Sequence, residues 1–332
     1  MALEGLDIGQ AFSRVGISRR RFLQFCGLMA ATLALPACET EVIAEALEAT
    51  TRVPVIWLEF QDCTGDTESF LRASPRPDPL VSGVTDPSIT DLILDKISVN
   101  YHETIMAPSG YMAEKSRADT WRDFSGQYLC IVEGSIPTAA NGIYCTVGGR
   151  TALSILQEMT GRAAATIALG TCAFDGGLAG AVPNPTGAMG VRGAIPSISN
   201  LVSLPGCPAN VVNLVAVIVY YLTYRQLPPR DGSGRPSFAY HEEIHEECER
   251  HDHYEHDRFV WACGDQGHRQ GWCLRKMGCR GPDTKHNCPT AKWNSGACWP
   301  VAAGHGCVGC AQGHFWDNMT PFYTSQGGND DD

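Results

Sequence analysis

What this chain has little of sets its limits. It has no excess of positive charge: 25 lysines and arginines stand against 36 aspartates and glutamates, a net of −11, so the basic face that a nucleic-acid partner needs is missing. It has no apolar run long enough to span a bilayer. The runs from Phe25 to Leu35 and from Val211 to Leu222 are both too short, and none follows Cys310, so no transmembrane anchor is encoded. Between His245 and Cys310 the glycine-rich sequence has few apolar runs at all. A hydrophobic core cannot hold that stretch together, and something other than packing must.

What fills the stretch is cysteine. Eight of the fifteen lie there, six of them grouped as His245-Glu-Glu-Cys248, Cys273 with Cys279, Cys288-Pro289 and Cys307-Val-Gly-Cys310. Disulfides or metal are the two ways to use them. The amino terminus favours metal. Ser18-Arg19-Arg20-Arg21-Phe22-Leu23, followed by the short apolar run and Pro36, reads as a twin-arginine signal. That route exports proteins already folded, with cofactors inserted in a reducing cytosol, to the periplasm or the outer face of the cytoplasmic membrane. Residues 1–45 are therefore read as targeting sequence. Leu35-Pro36-Ala37-Cys38 faintly resembles a lipoprotein cleavage box, but its proline fits poorly.

The rest divides in two. Val53 to Phe60 reads as a buried strand that runs into Cys63-Thr-Gly-Asp66 and a helix opening near Thr67. Gln127 to Glu133 is a second strand, Arg150 to Gly161 has helical spacing, and Ala164 to Gly170 is a strand that empties into Cys172. Leu201 to Leu204 leads to Pro205-Gly-Cys207-Pro208, with Pro208 placed in the first turn of the apolar helix Val211 to Leu222. Strands alternating with helices define an α/β domain with a parallel sheet, over residues 50–227. Loops at the carboxy ends of its strands converge on one edge, so Cys63, Cys172 and Cys207 are expected to meet there. Cys130 and Cys145 read as core. Asn210 and Asn213 argue against a membrane role for the apolar helix, which is read as buried. After a linker at Pro228 to Gly234, a small irregular domain over residues 235–320 holds the remaining cysteines.

Within that second domain His245 and Cys248 stand one helical turn apart, and Cys273 and Cys279 complete four ligands. Cys288, Cys307 and Cys310 form a second set with no clear fourth member, and such uneven spacing suits iron–sulfur clusters better than zinc. His241, His251, His253 and His256 lie among acids and read as solvated surface.

Together the twin-arginine leader, Cys63-Thr-Gly-x-x-Glu-Ser69, Glu133-Gly-Ser-Ile-Pro137, Gly170-Thr-Cys172, Pro183-Asn-Pro-Thr-Gly187, Leu204-Pro-Gly-Cys-Pro208, Gly271-Trp-Cys273 and Gly304-His-Gly-Cys-Val-Gly-Cys310 resemble the small subunit of nickel–iron hydrogenases. The resemblance covers nearly the whole chain in order. It implies a flavodoxin-like first domain and three iron–sulfur clusters that carry electrons from a nickel–iron centre in a separate large subunit to a cytochrome or other carrier. It implies a proximal [4Fe-4S] cluster on Cys63, Asp66, Cys172 and Cys207, and a distal [4Fe-4S] cluster on His245, Cys248, Cys273 and Cys279. A medial cluster, [3Fe-4S] or [4Fe-4S], would sit on Cys288, Cys307 and Cys310, with Pro300 where a fourth cysteine would stand. Most of the family has cysteine at the position of Asp66. This aspartate is either a hard ligand in place of a thiolate or a cap on the following helix. Oxygen-tolerant relatives have further cysteines at the positions of Gly65 and Gly177, and this chain does not. Cys298 is either a free thiol or a fourth medial ligand. Glu59 and Asp62 flank the proximal loop and read as solvated acids rather than proton carriers. A cluster subunit of respiratory quinone reductases is the rival resemblance for the first domain, and an electron-transfer module for another catalytic partner is what it implies.

Overall fold

The computed structural model describes residues 19–71, 93, 96–293 and 296–324. Its centre is a five-stranded parallel sheet of β1 (Val53–Glu59), β2 (Ile97–His102), β3 (Leu129–Glu133), β4 (Ala165–Leu169) and β5 (Leu201–Leu204), in the order β2-β1-β3-β4-β5. Val55 pairs with Leu129, Leu129 with Ala165 and Thr166 with Leu201. This is the flavodoxin-like order, in which the strand direction of travel reverses between β1 and β3.

Every residue of β1, β3, β4 and β5 is buried, because helices cover both faces. The period of two sorts them. Val55, Trp57, Leu129, Ile131 and Ile167 face one apolar core, and Ile56, Leu58, Cys130, Val132 and Ala168 face the other. Cys130 is thus a core residue, while Cys145 is half-buried at that core's margin.

On the second face lies α5 (Ala152–Thr160), which Thr151 caps by accepting the Ser154 N–H; Ile155, Leu156 and Met159 form its inner stripe. The helices α3 (Gly65–Leu71), α4 (Tyr111–Asp123) and α6 (Gly170–Asp175) follow β1, β2 and β4. On the first face lies α7 (Val211–Tyr224), buried nearly all round. Its cap is Asn210, whose side chain accepts the Val212 N–H at 3.0 Å. The helix therefore starts later than Pro208 predicts, because a side-chain acceptor and not a pre-set φ opens it.

The two asparagines that mark α7 as no membrane span tie the two regions together. Asn210 donates to the Lys292 carbonyl at 2.6 Å, and Asn213 exchanges two amide hydrogen bonds with Asn287, each 2.9 Å.

The outer side of α7 is covered by a helical hairpin, α1 (Arg19–Thr32) and α2 (Glu39–Ala49). Phe22, Phe25, Met29, Leu33, Ile43 and Leu47 bury their side chains in the same cluster as Leu214, Ile218 and Leu222. Much of the segment read as targeting sequence thus shares a core with the sheet domain. Among the described residues no helix is long and apolar enough to cross a membrane. The carboxy-terminal region has only a small core of Ile244, Val260, Leu274, Cys288, Trp299 and Val301, linked by short turns.

Candidate metal centres

All fifteen cysteines are free thiols, so no disulfide staples this chain. Ten of them gather in three places. At the carboxy edge of the sheet, Cys63 follows β1, Cys172 lies in α6 directly after β4, and Cys207 follows β5. Asp66 joins them. Its Oδ1 accepts the Ala209 N–H at 2.5 Å, and its carboxylate lies against Gly170, where a Cβ would fall 2.0 Å from Oδ2. Glycine at 170, with φ +80°, is what lets the carboxylate in.

Asp66 does not cap α3. Glu133, at the end of β3, does so instead: its Oε1 accepts the N–H groups of Asp66 at 3.0 Å and Thr67 at 3.2 Å. Its Oε2 takes the Thr67 hydroxyl at 2.6 Å and the Trp57 indole at 3.0 Å.

Electrostatics at this edge disfavour bare anions. Burial, then Glu133, pushes Asp66 up to about 8. Burial, then Asp66, pushes the Cys172 thiol up to about 12. Thiolates and a carboxylate crowded in this way need cationic charge among them to ionise, which is what a metal cluster supplies.

Glu59 and Asp62 are not solvated acids. Glu59 is buried and Asp62 half-buried, and their oxygens lie within 4.8 Å of one another and of a Glu133 oxygen. His102 Nδ1 stands 3.1 Å from Glu59, and burial, then Glu133, pushes Asp62 up to about 7. The sheet edge folds over these acids, which a strand-end position does not reveal.

The second place is a cavity of about 670 Å³ lined by Cys288, Cys307, Cys310, Cys298, Pro300 and His286, with Cys207 at its border. The third is a small pocket lined by His245, Cys248, Cys273 and Cys279. Here Cys248 closes a turn onto the His245 carbonyl at 3.2 Å. His251 is half-buried and packs its ring 4.6 Å from that of His245, so it is not plain solvated surface; His241 and His256 are exposed. Among the described residues no three cysteine and histidine ligand atoms lie within 4.8 Å of one another. A single tetrahedral zinc, with sulfur at about 2.3 Å from the metal, needs closer convergence than that.

The three places are linked by direct hydrogen bonds. Thr171, beside Cys172, donates through its hydroxyl to the Cys310 carbonyl at 2.5 Å. Cys307 donates its N–H to the Cys279 sulfur at 3.2 Å, and Arg280 donates to the Cys307 carbonyl at 2.7 Å. First, middle and last sites form one file.

A flavodoxin-like sheet with cysteines at its carboxy edge, followed by a small cysteine-rich region, is an architecture suited to an iron–sulfur electron-transfer subunit. Residues 240–323 match the family model for the carboxy-terminal part of the NiFe/NiFeSe hydrogenase small subunit, and residues 63–221 match that of the NADH ubiquinone oxidoreductase 20 Kd subunit. The periplasmic [NiFe] hydrogenase small subunit 1 of Nitratidesulfovibrio vulgaris is 42% identical over 317 residues, 95% of this chain and 96% of that one. The hydrogenase-2 small chain of Escherichia coli is 42% identical over 89% of this chain and 76% of its own. The [NiFeSe] hydrogenase structure from Desulfomicrobium baculatum superposes with a TM-score of 0.74 at 32% identity, over 83% of this chain and all of that one. The chain belongs to the small-subunit family of nickel–iron hydrogenases. It is the electron-transfer subunit of a heterodimer that oxidises H2, with the catalytic centre on a separate large subunit.

One consequence concerns Gly177, with φ +52°, where a Cβ would fall 2.5 Å from the Cys172 sulfur. Gly177→Ala is expected to displace Cys172 and lower the iron content of the purified complex, measured against Gly65→Ala, whose Cβ would meet the Cys63 sulfur at a less severe 3.1 Å.

Proposed function

We propose that Cys63, Asp66, Cys172 and Cys207 hold a proximal [4Fe-4S] cluster, that Cys288, Cys307 and Cys310 hold a medial one, and that His245, Cys248, Cys273 and Cys279 hold a distal [4Fe-4S] cluster. The medial cluster is [3Fe-4S], since Pro300 takes the place of a fourth thiol; [4Fe-4S] is the alternative. The observation that supports the reading is the file of hydrogen bonds from Thr171, the neighbour of Cys172, to Cys310 and from Cys307 to Cys279, which joins the segments assigned to successive centres. Bound clusters supply one-electron chemistry at each centre.

The chain's own residues order and tune that chemistry. The Gly309 and Arg250 N–H groups, each 3.4 Å from the Cys307 and Cys248 sulfurs respectively, point positive charge at thiolates and favour the reduced state. Asp66 brings a hard oxygen to the proximal site. His245, half-buried beside Tyr254 and His251, stands at the end of the file as the exit towards a cytochrome or other carrier.

Export by the twin-arginine route to the periplasm, or to the outer face of the cytoplasmic membrane, rests on the leader of residues 1–45 and on the periplasmic relative. The test is hydrogen-dependent reduction of an artificial dye by the complex purified anaerobically from its native host through a carboxy-terminal tag. Activity co-purifying with a nickel-loaded partner and iron sufficient for three clusters is expected. A nickel-loaded, stoichiometric partner without such iron on this chain would sink the cluster assignments.

A further inference from the structure

His286 lies two residues before Cys288 and was no part of any sequence motif. Its ring is 3% exposed and lines the cavity shared by Cys288, Cys307 and Cys310. Nδ1 stands 3.0 Å from the Cys288 sulfur, and among the described residues Nε2 has no hydrogen-bond partner. The edge-to-face packing of Tyr240, with ring centres 5.0 Å apart, fixes the ring, and the Tyr240 hydroxyl donates to the Pro205 carbonyl at 2.8 Å, beside the Cys207 loop.

The tautomer follows from these contacts. A neutral imidazole carries one N–H. With the proton on Nε2, a buried donor is stranded and the Nδ1 lone pair faces a thiolate. With the proton on Nδ1, the N–H meets the sulfur and only an acceptor lone pair is left unpaired, which is the cheaper arrangement. We propose that His286 is a tuning residue of the medial cluster, donating its Nδ1–H to the Cys288 thiolate and so raising the cluster's reduction potential. The inference rests on Cys288 being a medial ligand. Reduction places more charge on the ligand sulfurs, so the hydrogen bond is stronger in the reduced state and favours it.

The experiment is an anaerobic redox titration of the intact heterodimer, followed by electron paramagnetic resonance. His286→Phe keeps a ring and removes the N–H. It is expected to move the medial couple about tenfold towards the oxidised form, about 59 mV lower for one electron, with the proximal and distal couples unmoved. His286→Asn places an amide N–H where Nδ1 was and is expected to restore most of the shift. An unmoved medial couple in His286→Phe, or an equal shift of all three couples, overturns the proposal. Should His286→Phe fail to assemble, the unmodified complex in D2O decides: an exchangeable deuteron and a histidine nitrogen coupled to the medial cluster are expected, and their absence overturns it. Iron short of three clusters, with no medial signal in the unmodified complex, would instead refute the assignment of Cys288.

Discussion

Asp66→Ala is expected to strip iron from the proximal centre and to lower hydrogen-dependent dye reduction by at least about 100-fold, since even supporting residues of metal sites cost about 10–100-fold when removed. The aspartate has two jobs that substitution can separate. Its Oδ1 accepts the Ala209 N–H, and its carboxylate fills the space left by Gly170. Asp66→Asn keeps the acceptor and the shape but offers iron a neutral amide, so it is expected to fold normally and still lose the cluster. Asp66→Cys supplies the softer ligand found in most of the family and is expected to keep the cluster at an altered potential. Iron quantitation with a redox titration reads all three variants. Full iron and full activity in Asp66→Ala would show that three thiols hold the cluster and that the aspartate only packs.

The largest stability effect is expected at Glu133, a residue outside every ligand set. Its two oxygens take hydrogen bonds from the N–H groups of Asp66 and Thr67, the Thr67 hydroxyl and the Trp57 indole. Glu133→Ala leaves the two N–H groups and the indole stranded, while the Thr67 hydroxyl keeps His102 Nε2 at 3.1 Å. At about 1–3 kcal/mol for each buried group left unpaired, with some rehydration through the cavity, the loss should be about 4 kcal/mol or more. It should appear as a lower thermal midpoint of the complex and as proximal iron that is lost more readily, because α3 carries Asp66. Glu133→Gln keeps one acceptor oxygen and is expected to cost roughly half as much. An unchanged midpoint in Glu133→Ala would mean that the loops after β1 and β3 are held by other contacts.

The sheet was legible because two local signals agreed. Apolar runs such as Val53 to Phe60 mark strands buried on both faces, and cysteines placed just after strands rather than within them mark the edge where loops converge. Cys130 was separable from Cys172 on that ground alone. Less could be read where partners come from far along the chain. The Glu133 cap joins residues 67 positions apart to those of α3, and no local pattern announces it. Glu59 and Asp62 look exposed in sequence because acids at a strand end usually are; here His102 and Glu133 close over them. The carboxy-terminal region gave ligand spacing but no periodicity, since its elements are single turns around a small core. Nothing in the sequence marks His286 for the same reason: its partner Cys288 is a near neighbour, but only the fold buries the pair.

The amino-terminal hairpin has a consequence for what becomes of the chain. Phe22, Met29, Ile43 and Leu47 share one apolar cluster with α7, so the hairpin and the sheet domain bury a common core. A cut between Ala49 and Val53 would turn interior into surface along Leu214, Ile218 and Leu222. Apolar surface so bared would lower the solubility of the trimmed chain.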